Sequence, residues 1–172
     1  MIERTFTGDA QTSAAYYSPC MHYRYGLRRT WDPSGDEVLF VMLNPSSATE
    51  ERNDPTIERC QRRAARLGFG GVRIANLFAW RATRPSDLRR AGEPVGPETD
   101  ALLRDWSGRA ALTIAAWGVH GAFLGRAAQV APLLRGDVRH LGLTRDGHPR
   151  HPLYVRNDAP LLPFELPEPA DA

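Results

Sequence analysis

The sequence contains no lysine; all 22 of its basic residues are arginine. That absence excludes lysine Schiff-base catalysis and the lysine anchor of a phosphate-binding P-loop. Covalent amine chemistry would need the N-terminus. Cysteine is scarce too. Cys20 and Cys60 are the two present, without CxxC or Cys/His spacing, so neither a disulfide framework nor a zinc site is expected. A reducing cytoplasm fits this usage. No apolar run is long enough to span a membrane, and Met1 to Cys20 lacks the apolar core of a signal peptide. The formal net charge of +2 does not by itself announce a nucleic-acid partner. There is no Gly-x-Ser-x-Gly elbow for acyl transfer. The glycine-rich Gly68-Phe69-Gly70-Gly71 precedes an apolar run, whereas a phosphate loop follows one. No internal repeat is visible.

What is present fits one soluble globular domain. The chain has 172 residues, of which 42% are hydrophobic and 24% charged. Its clearest feature is Val38-Leu39-Phe40-Val41-Met42-Leu43, which stops at Asn44-Pro45-Ser46. An unbroken apolar run of this kind predicts a strand buried on both faces, as in a parallel sheet. Ligands of open α/β sheets bind beyond the carboxyl ends of such strands. Further strands are expected over Val72–Phe78, Ala111–Ala116 and Val138–Leu143. Asp54-Pro55 starts a helix with an N-cap and a first-turn proline, and Gly68 closes it. Pro97 opens a second helix, and a third is expected over roughly Val119–Leu134. Tyr23–Trp31 has strand alternation and, across the Asp32-Pro33-Ser34-Gly35 turn, could form a hairpin with the Val38 strand. A central Val38 strand with two parallel neighbours would instead send it to an edge or change the strand order.

This alternation predicts a three-layer α/β/α sandwich with a mostly parallel four-stranded sheet and an extra N-terminal strand. Residues 1–21 are expected to be a loosely attached arm, 22–158 a single α/β domain, and 159–172 a disordered, proline-rich acidic tail.

The strand ends supply the candidate site. Asn76 offers a donor and an acceptor, and Phe78 an aromatic ring for stacking. His151 can stabilise developing negative charge as a donor; His148 shares its loop. Pro45, Ser46, Trp117, Gly118 and Tyr154 would shape the pocket around them. Arg59 and Arg63, with Arg62 and Arg66, form one basic patch. Arg81 and Arg84, with Arg89 and Arg90, form another. Both are candidates for phosphate contact. Asp54 is accounted for by its capping role. No metal and no cofactor are expected.

Read together, Leu43-Asn44-Pro45-Ser46, Asp54-Pro55-Thr56, Ala75-Asn76-Leu77-Phe78, Ala116-Trp117-Gly118 and His151-Pro152-Leu153-Tyr154 resemble a bacterial domain-of-unknown-function family, number 1643, over roughly Tyr23 to Val155. More distantly, the order of motifs resembles the uracil-DNA glycosylase superfamily. Asn44-Pro45-Ser46, Trp117-Gly118 and His151-Pro152 match its motifs in kind and order. Met42 stands where that superfamily usually has glycine, and Leu153 where it has serine. The resemblance implies a sandwich with a short parallel sheet and hydrolysis of the N-glycosidic bond of a nucleobase in DNA or a nucleotide. Asn44 would position water, His151 would steady the leaving base, and Asn76 with Phe78 would hold it, Asn76 on a pyrimidine-like edge and Phe78 by stacking. Without lysine such an enzyme would be monofunctional. A non-catalytic nucleotide or modified-base binding module, and a nucleotide-level enzyme that never touches DNA, stay open. Oligomeric state is not legible.

Overall fold

A computed structural model describes residues 1–165 of the chain. Its strands are β1 (Ile2–Thr7), β2 (Thr12–Tyr17), β3 (Arg24–Thr30), β4 (Glu37–Met42), β5 (Gly71–Asn76), β6 (Leu112–Ala115), β7 (Val138–His140) and β8 (Leu162–Pro163). Its α-helices are α1 (Pro55–Arg66), α2 (Pro85–Arg90), α3 (Thr99–Arg109) and α4 (Arg126–Val130). Short 3₁₀ segments cover Val119–Gly125, Ala131–Leu133 and Pro152–Tyr154.

The strands form one sheet in the order β1-β2-β3-β5-β4-β6-β7-β8. This overturns the expected mostly parallel four-stranded sheet in a three-layer sandwich. The sheet is mixed and has eight strands, and four of its seven pairings are antiparallel. Parallel pairing is confined to β5-β4-β6-β7. Three segments made the difference. Residues 2–17, expected as a loose arm, form an antiparallel hairpin that continues the sheet, with Ala15 and Tyr17 buried. Strand β3 pairs antiparallel with β5, not with β4 as a hairpin would require. Within the expected disordered tail, Leu162–Pro163 pair with β7; residues 166–172 lie outside the described residues. Helix is also scarcer than expected after Gly118, where 3₁₀ turns surround the five-residue α4.

Strand β4 lies at the centre, and Val38 to Met42 are at most 3% exposed. Val38, Phe40 and Met42 join Ile57, Cys60 and Ala64 of α1 in one core. Leu39 and Val41 join Leu88 of α2, Leu102, Leu103 and Trp106 of α3, and Val130 of α4 in the other. Burial on both faces is why the strand has no alternation in sequence. Helix α1 begins where the sequence says it should. Asp54 Oδ1 accepts from Ile57 N at 2.9 Å, and Gly68, at φ +88°, follows the last turn. No helix of the described residues is long and apolar enough to cross a membrane.

Candidate functional site

The carboxyl ends of β4, β5 and β6 open onto a cavity of about 430 Å³, within the range of roughly 300–1,000 Å³ usual for small-molecule sites. Asn44 and Ser46 reach it from the turn after β4, Asn76 from the last residue of β5, and Trp117 and Gly118 from the segment after β6. After β7, His151 caps the 3₁₀ segment that carries Tyr154, and both reach the cavity. Gly118, at φ +72°, donates its N–H to Pro149 O at 2.9 Å, which draws the His151 loop against the end of β6.

Each polar group has a definable state. The Asn44 amide nitrogen is taken up by Ala82 O at 2.7 Å and Pro45 O at 3.0 Å. Its Oδ1 is the group left to accept a hydrogen bond. Asn76 is 2% exposed, and its Nδ2 has no partner among the described residues. His151 Nδ1 accepts from Leu153 N at 3.2 Å, so the neutral ring carries its proton on Nε2. Burial pushes the His151 imidazole below its ordinary value of 6.5, and the carboxylate of Asp54 works against that. Trp117 is 2% exposed with Nε1 unpartnered. Tyr154 is 79% exposed, and its ring centroid lies 5.6 Å from that of His151 at the cavity mouth.

Other expected residues lie elsewhere. Pro45 is buried behind the turn and does not line the cavity; its carbonyl ties the turn to Ala82. Phe78 is fully buried in the core, with its ring 5.4 Å from Phe123, and does not line the cavity either. His148 also lies outside the lining. Arg59 donates to Val155 O at 2.6 Å, and Arg63 to Arg156 O at 2.7 Å and Ala159 O at 3.3 Å. Both border a separate cavity of about 420 Å³ along α1. Arg81 donates to Met21 O at 3.3 Å and sits over the Tyr17 ring, while Arg84 is exposed at the start of α2. Arg63 is thus an anchor for the segment after residue 155. Arg63→Ala is expected to cost about 1–3 kcal/mol of stability. Chemical denaturation checks this, and unchanged stability would return Arg63 to a surface role.

Sequence reasoning missed Arg24, which is 1% exposed and lines the cavity, and His120, Thr144 and Arg150 on its rim. It assigned Asp54 to capping alone, yet Asp54 also lines the cavity. Among the described residues, no group of three or more His, Cys, Asp or Glu side chains could hold a metal ion.

No curated protein and no solved structure matches the chain. A family model described as "Protein of unknown function (DUF1643)" matches residues 24–153. That span contains all three strand ends and His151, and the chain belongs to this family.

Proposed function

We propose that the cavity binds the base of a nucleoside or nucleotide and that the chain hydrolyses its N-glycosidic bond. The observation that carries this reading is the convergence of Asn44, Asn76 and His151 on one cavity. Each brings a different unspent group: the Asn44 Oδ1 acceptor, the Asn76 Nδ2 donor and the His151 Nε2–H donor. In the reaction, a water held by Asn44 adds to the sugar carbon as the carbon–nitrogen bond breaks. The electron pair leaves with the base, His151 stabilises that charge by hydrogen bonding, and the water's proton ends on the base. Asn76 donates to a base carbonyl. The motif order resembles that of the uracil-DNA glycosylase superfamily, and the resemblance implies the same roles. A small substrate is favoured over duplex DNA because Arg59 and Arg63 are spent on main-chain carbonyls.

The test is release of free base, followed by chromatography, from a panel of nucleosides, nucleoside monophosphates and base-modified oligonucleotides. Asn44→Ala and His151→Ala are each expected to lower release by about 100-fold or more. Full activity in either variant would sink its role. A second reading, a binding module without turnover, is favoured by Met42, which lines the cavity where the superfamily pattern has glycine. It predicts stabilisation by a ligand with no base released.

A further inference from the structure

We propose that this cavity takes a ligand bearing an oxyanion, a carboxylate or a phosphate, and that Arg24 receives it. The inference rests on the cavity being the ligand site, as proposed above, and not on hydrolysis there.

Four arginines are buried, and they differ in how well they are satisfied. Arg29 donates to Asn53 Oδ1 at 3.1 Å and to the carbonyls of Thr49 and Arg52. Arg126 donates to Leu77 O at 2.8 Å and pairs with Asp100. Arg63 donates to two carbonyls, though its Nε, like that of Arg24, is buried without a partner among the described residues. Arg24 is the least served. Among the described residues its guanidinium donates to Ala48 O alone, its Nε is buried without a partner, and no carboxylate lies within salt-bridge distance of it. It is also the one of the four that lines the main cavity. A guanidinium has five N–H donors, and burying its charge without a counter-charge is costly. Asp54 is not within salt-bridge distance of Arg24; its carboxylate acts on Arg24 through space and offsets part of the burial. Burial pushes Arg24 down to about 10, which leaves it a cation at neutral pH.

The remaining orphans point the same way. On cavity-lining residues, the buried polar atoms without partners are Arg24 Nε, Asn76 Nδ2 and Trp117 Nε1, and all three are donors. A cavity lined by a cation without an ion-pair partner, beside residues that keep unspent donors, is complementary to a negatively charged ligand, with Asn44 Oδ1 and Asp54 as the acceptors on the same lining. Arginine meets carboxylate and phosphate with paired, charge-assisted hydrogen bonds. A nucleoside monophosphate and a carboxylated heterocycle share that chemistry.

Thermal unfolding and calorimetric titration of the full chain with inorganic phosphate, uridine, uridine monophosphate and orotate test this. Against chloride at matched ionic strength, the anions are expected to raise the melting temperature. At least one of the last two should bind about 10-fold or more tighter than uridine. The tighter of the two names the phosphate or the carboxylate source. Arg24→Gln should erase the preference and Arg24→Lys keep part of it. Uridine binding as tightly as both organic anions, no anion shifting the melting temperature, or an unchanged preference in a folded Arg24→Gln protein would each overturn the proposal. The wild-type comparison decides alone if Arg24→Gln does not fold. Anion binding without base release leaves this inference standing and sinks hydrolysis. Release from uridine with no anion preference does the reverse.

Discussion

Phe78→Ala is expected to lower the unfolding free energy by about 3–5 kcal/mol, the usual cost of emptying a buried phenylalanine site. The ring is fully buried. It belongs to the same core as Leu77, Leu88 and Val130, and its centroid is 5.4 Å from that of Phe123, so truncation leaves a void that the neighbouring segments must collapse to fill. The backbone contribution survives, because Phe78 N donates to Leu43 O at 3.0 Å whatever the side chain. Ligand affinity of the folded fraction should therefore change little. Urea denaturation measures the loss, and Phe78→Leu should recover more than half of it, since a leucine fills most of the space. A loss below about 1 kcal/mol together with weakened ligand binding would move the ring into the cavity, where the sequence reading had it stacking on a base.

Phe78 illustrates what a sequence can and cannot say about this molecule. The strand ends were legible because each apolar run stops at a polar or turn-forming pair, and that fixes which side chains gather at one edge of the sheet. The alternation of faces beyond a strand end was not legible. Asn76 and Phe78 sit two residues apart, yet one lines the cavity and the other lies in the core. Strand partnership was equally hidden. The alternation of Tyr23–Trp31 is the same whether it pairs with β4 or with β5, and only the assembled sheet decides. Residues 2–17 gave little signal because Ile2 to Thr7 are all exposed and β2 packs small residues such as Ala15. The burial of Arg24 and Arg29 was not legible because the groups that satisfy them belong to another segment. The carbonyls of Ala48, Thr49 and Arg52 take their hydrogen bonds. Arg59 and Arg63 were hidden in the same way by the carbonyls of residues 155–159.

Asp54 ties these parts together, and its replacement carries the second large effect. Its Oδ1 caps α1 through Ile57 N, and its Oδ2 holds the buried N–H of Ala48, whose carbonyl in turn receives Arg24. Asp54→Ala removes the cap and orphans the Ala48 N–H, an expected loss of about 2–4 kcal/mol. Asp54→Asn keeps one acceptor, for the cap, and removes the charge, but it turns an amide nitrogen on the Ala48 N–H, so its stability loss includes that bond and the electrostatic part is read from His151. Burial lowers the His151 imidazole below its ordinary 6.5, and Asp54 opposes that shift, so removing the charge must lower it further. The sign for stability follows from linkage. The unfolded chain takes up the proton first, so stability is lost as the pH falls from the unfolded value near 6.5 towards the folded one, and the loss levels off below it. The His151 share of that loss is larger in Asp54→Asn because the gap between the two values is wider. A histidine ring titration by NMR on both proteins, with His151→Gln to assign the resonance, reads the gap directly. An unchanged His151 midpoint in folded Asp54→Asn would mean that the carboxylate does not act across the cavity. The aspartate would then act only through its two hydrogen bonds, the helix cap and the Ala48 N–H, and the neutral His151 donor would owe its state to burial alone.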